Sequence, residues 1–246
     1  MNIFGEKTLV DNWFEDRVLE EDKIKEYLEK RERGELLSQK NASLSTAMLN
    51  ATQLATSADG WVKFGDQVVF QNPHLFNDEH HLALTFAGET ATALEYKSPQ
   101  VRNTFIIFPT DGSKMGDKLR YCQPFAIATH PSISPEPKFM QSEDGGLLNT
   151  KKSRTQPISF SDTPSYLALW RIHCFDPQLR LETDGMPVPV NSPVIVNHSK
   201  TNNNLTYLEA FTIATPFGTG QEVTARTELD SHNAECKTNH WKLLYK

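Results

Sequence analysis

The prolines of this chain are confined to one part of it. All 14 lie after residue 72 of the 246-residue sequence. Because proline lacks the backbone N–H that helices and inner strands need, the start of the chain is free to form a long helix, whereas the remainder must be divided into short elements. Residues 1–60 also hold 12 acidic and 8 basic residues, which is −4 of the net charge of −6. We therefore predict an N-terminal arm over residues 1–58 and a folded domain over residues 59–246.

The arm is predicted to contain one amphipathic helix between Asp16 and Gln39. Its apolar residues recur near helical spacing and form one narrow stripe: Leu19, Ile24, Tyr27, Leu28 and Leu36. Three pairs of opposite charge are spaced four apart with the acid first, the more favourable order: Glu21/Lys25, Glu26/Lys30 and Glu29/Arg33. Gly34 is expected to end or bend this helix. Residues 41–52 are either weakly helical or a connector of small residues, so we expect an extended and helical arm.

The residues from Gly60 onward follow a different pattern. Short β-branched or aromatic runs alternate with Gly, Pro, Asn and Asp, which is typical of short strands and turns. The candidate strands are WVKFGDQVVFQ, LALTF, NTFIIF, KLRYCQPFAIAT, KFMQS, LALWRIHC, SPVIVNH, LTYL, FTIATP, EVTARTEL and HWKLLY. The polar stretch from Lys138 to Tyr166 contains only weak strand candidates, and its middle is predicted to be a long loop. The fold class is therefore all-β.

A weak internal repeat underlies these strands. Gly65-Asp66-Gln67-Val68 and Gly116-Asp117-Lys118-Leu119 each open a candidate strand, and Asn191-Ser192-Pro193-Val194 occupies a similar place without the Gly-Asp pair. Each opener is followed by a closing strand that carries an aromatic residue: NTFIIF, LALWRI or NHWKLL. Three unequal repeats of about four strands predict a β-trefoil, a closed barrel without exposed edges.

Charge and composition limit the classes of partner. The net charge of −6 opposes non-specific attraction to nucleic acid or to an anionic membrane surface. No apolar run approaches the roughly 20 residues of a membrane-spanning helix, and the first residues lack the pattern of an export signal. Three scattered cysteines are too few for a disulfide framework, so we expect reduced thiols and an intracellular protein. Neither nucleic acid nor membrane is an expected partner.

The residues quoted above resemble a known family over nearly the whole chain, the cilia- and flagella-associated protein 161 family. The similarity includes Asn12-Trp13, the helix ending YLEKRERGELL, Phe64-Gly65-Asp66, NTFIIF, the stretch from Phe175 to His198, and Asn239-His240-Trp241. The repeats are also similar to MIR-type trefoils, especially the third repeat, from Pro189 to Leu244. Two features depart from the family pattern: Cys122 stands where Gly is usual, and residues 75–98 differ.

The resemblance implies a MIR-like β-trefoil and a structural microtubule inner protein. Such a protein lines the A-tubule lumen of ciliary or flagellar doublet microtubules and stabilises the axoneme for motility. The implied partners are α/β-tubulin and other microtubule inner proteins, and the implied location is the axoneme of the cytoskeleton. The resemblance implies no enzyme activity. The alternative is a ligand-binding trefoil that recognises a sugar or a peptide, which the fold alone cannot separate from the first interpretation.

No catalytic, cofactor or metal site is predicted. Cys236 and His240 lie four apart and could form a zinc site with Cys174, His173 or His232, but the paired Cys-x2-Cys spacing of structural zinc sites is missing. Asp230, Ser231 and His232 are adjacent in sequence, so their side chains cannot form a nucleophilic relay. Gly218-Thr219-Gly220 lacks the context of a phosphate-binding loop. We expect no cofactor and no enzyme activity.

The candidate partner-binding residues are Trp13, Phe14 and Arg180. Trp170 and Trp241 lie in closing strands and are predicted to be core, whereas Trp13 and the neighbouring Phe14 lie in a polar arm without a core of its own, which favours an interface role. Arg180 alternates with two leucines, so it is predicted as an outward-facing strand residue, with a partner contact as the alternative.

Overall fold

A computed structural model describes residues 13–76, 79–134, 136–143 and 153–246, with side chains described from residue 15 onward. The chain divides into two compact units, Met1–Thr46 and Ala47–Lys246. Helix α1 is Trp13–Glu32, α2 is Leu37–Leu49 and α3 is Arg180–Thr183. The strands are β1 Gln67–Phe76, β2 His80–Phe86, β3 Ala91–Glu95, β4 Phe105–Pro109, β5 Phe125–Thr129, β6 Phe139–Ser142, β7 Gln156–Ser161, β8 Trp170–Cys174, β9 Pro193–His198, β10 Leu205–Thr215, β11 Gly218–Ala225 and β12 His240–Leu244.

Gly34 ends α1 rather than bending it. It adopts a left-handed conformation with φ 72°, which glycine accepts without steric cost. Its N–H donates to the carbonyl of Arg31, and the N–H of Glu35 donates to that of Lys30 at 2.8 Å, the paired bonds of a Schellman motif. The predicted single helix is therefore two helices, α1 and α2, and residues 41–49 are helical.

The surface of α1 carries charge pairs and an exposed apolar stripe. Glu26 pairs with Lys30 at 2.6 Å and Glu29 with Arg33 at 3.6 Å, as predicted. Lys25 instead approaches Asp22, at 3.8 Å. These pairs are exposed and contribute a few tenths of a kcal/mol each. The apolar residues of the helix are 40–59% exposed: Val18, Leu19, Ile24, Tyr27 and Leu28.

The boundary between the units lies earlier than the predicted position between residues 58 and 59. Met48 belongs to the main hydrophobic core and is 3% exposed, and Leu54 packs in a smaller cluster at 9%. The backbone around them is also bound to the second unit, because the N–H of Val101 donates to the carbonyl of Asn50. Residues 47–58 are therefore part of the β domain, since their burial ties them to its core.

The strands of the second unit form a β-trefoil, which confirms the predicted fold class. Six strands close a ring by antiparallel pairing, in the order β1, β4, β5, β8, β9, β12 and back to β1. The other six form the hairpins β2–β3, β6–β7 and β10–β11. Strand β11 also pairs with β3 and with β7, which joins the hairpins. Each repeat thus supplies two barrel strands and one hairpin.

Three segments meet in a cyclic set of hydrogen bonds that shows the threefold pseudosymmetry directly. The N–H of Val62 donates to the carbonyl of Val188, that of Val188 to Leu119, and that of Leu119 to Val62, each at 2.9 Å. All three side chains are fully buried. Because each repeat donates one bond and accepts one, the barrel is closed by backbone interactions that depend little on side-chain identity.

The predicted closing strands place equivalent aromatic residues in the core. Phe105, Trp170 and Trp241 begin or nearly begin β4, β8 and β12, and all three are 0% exposed. Each indole N–H is satisfied: Trp170 Nε1 donates to the carbonyl of Met140 at 2.8 Å and Trp241 Nε1 to that of Leu205 at 2.9 Å. The prediction that both tryptophans are core residues is confirmed.

Two strands do not appear among the predicted ones. Strand β3, ATALE, contains two alanines and a glutamate, which rarely occur in strands, but it is buried between β2 and β11. Strand β7 lies within the stretch predicted to contain only weak strand candidates. Residues 144–152, the middle of the predicted loop there, lie outside the described residues. The second opener does not start a strand, since β5 begins only at Phe125.

Cys122 occupies a backbone position that favours glycine. It has φ 62°, and the equivalent residues of the other repeats, Gly65 and Asn191, have φ 90° and 56°. The N–H groups of Gly65 and Cys122 donate to equivalent carbonyls, those of Ile107 and Ile172, at 2.8 Å. A left-handed conformation costs a residue with a Cβ about 1–2 kcal/mol, so glycine is the residue that fits this position without strain.

We expect Cys122→Gly to raise the free energy of unfolding by about 0.5–1 kcal/mol, because the relief of strain exceeds the entropic cost of glycine. Urea unfolding of both proteins measures the difference. The control is Cys236→Gly, where φ is −70° and the same exchange should destabilise the protein. Equal effects at the two cysteines would show that the backbone at Cys122 is not strained.

Candidate interaction site

The segment that follows β8 leaves the barrel and forms α3. The carboxylate of Asp176 accepts the N–H of Gln178 at 2.9 Å, and Pro177 stands at the first position of the short 3-10 helix that leads into α3. These two residues favour the start of a helix. The Asp side chain accepts a hydrogen bond from an N–H that would otherwise be unpaired, and proline has no backbone N–H that would need a partner. Gly185, with φ 73°, follows α3 and turns the chain back to the barrel.

Both ends of this segment are bound to the barrel. At its far end the N–H of Tyr121 donates to the carbonyl of Met186 at 2.9 Å, and Arg120 Nη1 donates to that of Gly185 at 2.7 Å. At its near end Arg180 Nε donates to the carbonyl of Cys174 at 3.1 Å. The segment is therefore held in one geometry and does not rely on its own few helical hydrogen bonds.

Arg180 also connects this segment to the loop that precedes β12. Its Nη2 donates to Oε1 of Glu235 at 2.7 Å, and the two side chains are 29% and 7% exposed. Asn204 Nδ2 approaches the same carboxylate oxygen at 3.4 Å. A buried carboxylate requires such partners, so Arg180 holds two loops together.

A histidine pair lies beside the same loop. Nε2 of His74 and Nδ1 of His240 are 2.8 Å apart, and Nε2 of His240 lies 2.9 Å from the carbonyl of Glu235. The ring of Phe175 contacts His240 with centroids 4.6 Å apart. Since two protonated rings would both be donors and would repel, the arrangement requires one ring of the pair to be neutral.

The α3 segment exposes four large apolar side chains, which we call the α3 patch. Their exposed fractions are 39% for Phe175, 43% for Leu179, 93% for Leu181 and 51% for Met186. A single exposed leucine is ordinary on a protein surface, but four apolar side chains in one segment held at both ends make that segment a candidate surface for binding another protein. The arrangement offers shape and apolar contact and no group placed for chemistry.

Burial lowers the pKa of His74 and His240, and for His74 the nearby Lys237 adds to the effect. Burial lowers the pKa of His130, His173 and His198 as well. A histidine with a lowered pKa in the folded state stabilises the protein fully above its unfolded pKa of about 6.5 and loses this contribution as the pH falls below that value.

We therefore expect the free energy of unfolding to decrease from pH 7 to pH 5. Urea unfolding at a series of pH values measures the decrease, and His74→Gln should reduce it because one member of the closest pair no longer titrates. An equal decrease in the variant would show that the pair does not contribute.

The predicted site residues fall in different places. Trp13 and Phe14 begin α1, but their side chains lie outside the described residues, so their interface role stays a prediction. The interpretation of Arg180 as an outward-facing strand residue is wrong: it starts α3 and binds Glu235 and Cys174. The strand was predicted because Arg180 alternates with Leu179 and Leu181. The sequence signal for a helix was Asp176-Pro177, an N-cap residue followed by proline.

The described residues contain no group of three or more His, Cys, Asp or Glu side chains arranged to hold a metal ion. Cys236, a zinc candidate by its spacing from His240, is a free thiol, and both ring nitrogens of His240 already have partners. In the same part of the chain, no helix is long and apolar enough to cross a membrane.

Three curated relatives match nearly the whole chain. Cilia- and flagella-associated protein 161 of Danio rerio is 36% identical over 97% of this chain and 86% of its own length. The proteins of the same name from Bos taurus and Mus musculus are each 33% identical over 99% of this chain, covering 82% and 88% of their own lengths. This chain belongs to the cilia- and flagella-associated protein 161 family. It is therefore a cilia- and flagella-associated protein, as the sequence resemblance predicted.

A family model, the cilia- and flagella-associated protein 161-like domain, matches residues 132–246, which include the whole α3 patch. Among solved structures, the SDF2-like protein from Arabidopsis thaliana superposes with a TM-score of 0.55 and 15% identity, covering 76% of this chain and 97% of that one. A Caenorhabditis elegans protein of unknown function superposes with a TM-score of 0.54 and 17% identity, covering 77% of this chain and 99% of that one. At these identities the likeness concerns the fold alone, which is the MIR-type trefoil expected from the sequence.

Proposed function

We propose that this protein is a structural microtubule inner protein that lines the A-tubule lumen of ciliary doublet microtubules. Its partners are α/β-tubulin and other inner proteins, and its role is to stabilise the axoneme for motility without catalysis. Family membership supports a place in the cilium. The observation that carries the structural role is the α3 patch, because Leu181 is 93% exposed on a helix that is bound to the barrel at both ends.

The physical basis is binding by a rigid apolar surface. An anchor residue whose backbone is already held in the free protein loses less conformational entropy on binding, so more of its burial contributes to affinity. The exposed stripe of α1 offers a second surface, and the predicted anchors Trp13 and Phe14 stand at the start of the same helix. Two surfaces on one chain give avidity on a repeating lattice even when each binds weakly.

The test replaces Leu181 by Asp in a tagged protein expressed in ciliated cells. We expect retention in salt-washed axonemes to fall by about tenfold, as for the loss of a central apolar anchor, while the melting temperature of the isolated protein is unchanged. Leu75→Asp is the control, because Leu75 is 50% exposed at the end of β1, outside the patch. Equal retention of the two variants would contradict a role for the α3 patch.

The position in the lumen has a separate test. Cryo-electron tomography should show density for the tag on the luminal wall of the A-tubule in doublets that carry the tagged protein, and none there in doublets with the untagged protein. Density on the outer surface or in the B-tubule would contradict the proposal, whatever the result for Leu181.

A further inference from the structure

A cleft of about 330 Å³ lies between the turn of the β10–β11 hairpin and the segment that joins β3 to β4. Its walls combine polar and apolar side chains, among them Leu94, Ser98, Gln100, Arg102, Phe217 and Thr219. This volume is at the small end of ligand sites, so the cleft fits one small group or one or two side chains rather than a large cofactor.

Arg102 is a partly buried cation in this cleft. Its Nη1 is buried and has no hydrogen-bond partner, and among the described residues no carboxylate forms an ion pair with it. Burial lowers the pKa of Arg102, yet a guanidinium remains protonated in proteins. A partly buried charge is stabilised by a counter-charge, and the described residues supply none to this guanidinium.

The guanidinium is held in place from two sides. Its Nε donates to Oε1 of Gln100 at 2.8 Å, and its Cζ lies over the ring of Phe217, 5.0 Å from the centroid. Both supports are themselves fixed. The N–H of Gln100 donates to Asn103 at 2.8 Å, and the N–H of Phe217 donates to the hydroxyl of Thr215 at 3.2 Å. The cation is therefore held in one orientation before an acceptor arrives.

The charges around the cleft indicate which anion it accepts. Lys97 and Glu95 also line the cleft. Nζ of Lys97 is 3.5 Å from Oε1 of Glu95, which Nε2 of His80 approaches at 3.3 Å. Lys97 and Glu95 offset one another, which leaves the single positive charge of Arg102. One cation matches one carboxylate better than it matches a phosphate dianion. The apolar sides of Leu94 and Phe217 suit the carbon chain that carries the acid.

We propose that this cleft binds a single carboxylate, an Asp or Glu side chain of a partner polypeptide, with Arg102 as the residue that recognises it. Because Nε is bound to Gln100 and Nη1 is buried, Nη2 is the donor available for a charge-assisted hydrogen bond to the acid, and Phe217 covers one side of the cation. The cleft is separate from the α3 patch in sequence and in chemistry, and it does not depend on where in the cilium the protein lies.

The experiment uses the isolated full chain and a blocked amino acid as the probe. N-acetyl-glutamate amide is titrated while the Arg102 Nε–H resonance is followed by NMR, with N-acetyl-glutamine amide and equal ionic strength as the comparison. We expect a saturable shift for the acid and none for the amide. No saturable shift by about 50 mM would overturn the proposal, since a site with a Kd of several millimolar would then be largely filled.

Two variants separate recognition from general electrostatics. Arg102→Gln should weaken binding of the probe by at least about tenfold, because it removes the donor. Lys97→Gln removes the same charge nearby but no donor, so it should weaken binding by only about two- to threefold, through the unbalanced charge of Glu95. Equal losses in the two variants would overturn the assignment to Arg102. Inorganic phosphate that binds more tightly than the probe would overturn the assignment to a carboxylate. If Arg102→Gln fails to fold, the titration of the wild-type protein with the acid and the amide still tests whether the cleft binds a carboxylate.

Discussion

Replacing Trp241 by Ala is expected to lower the free energy of unfolding by about 3–5 kcal/mol, because it removes a large side chain from the centre of the barrel core. The indole is 0% exposed, contacts Tyr207 with ring centroids 6.5 Å apart, and donates to the carbonyl of Leu205. Truncation leaves a cavity in the core and removes the shorter of two hydrogen bonds to the carbonyl of Leu205, which keeps its bond from Asn239 Nδ2 at 3.3 Å. For a unit of this size the melting temperature should fall by roughly 6–20 °C.

The control for this change is Trp61→Ala. Trp61 is only partly buried, and Lys118 Nζ lies 5.6 Å from its ring centroid at the surface. Its loss should cost about 1 kcal/mol, mainly the cation–π contact and some apolar burial. Urea unfolding followed by far-UV circular dichroism measures both variants. A similar loss for the two tryptophans would show that the barrel core does not depend on Trp241 in particular.

The parts of the fold that can be predicted from sequence are those whose signal is local. The closing strands are visible because leucine, isoleucine or tyrosine residues lie beside Trp170 and Trp241. The two-part division is visible in the proline distribution. Strand β3 is not, because an Ala-rich strand is stable only when neighbouring strands bury it. The ring formed by Val62, Leu119 and Val188 joins residues far apart in sequence, and no local pattern reports such a contact.

The candidate sites show the same limit. Trp13 stands out in the sequence because an aromatic residue in a polar arm is conspicuous. Leu181 does not, because a leucine that alternates with polar residues has the pattern of a strand. Arg102 is one arginine among many until the structure shows that Nη1 is buried without a partner and that Phe217 lies beside it. Exposure and pairing arise from tertiary contacts, so only the structure distinguishes these residues.

Arg180→Met is expected to destabilise the protein by about 2 kcal/mol and to loosen α3. The change leaves the carboxylate of Glu235, 7% exposed, without its closest partner at 2.7 Å. Breaking a fully buried pair costs about 3–5 kcal/mol, and the smaller figure here allows for the 29% exposure of Arg180. Because Arg180 also binds the carbonyl of Cys174, amide hydrogen exchange should accelerate across residues 175–186 more than in the barrel strands.

A double-mutant cycle identifies the source of this loss. If the cost is an unpaired buried charge, adding Glu235→Gln to Arg180→Met should restore more than half of the stability, because a neutral amide is cheaper to bury than a carboxylate. The control is Lys237→Met, which breaks the exposed pair with Glu209 and should change stability by less than about 0.5 kcal/mol. Strictly additive effects at positions 180 and 235 would show that the two side chains are not coupled. In that case α3 would be held by its backbone bonds to Tyr121, and the α3 patch would keep its geometry without Arg180.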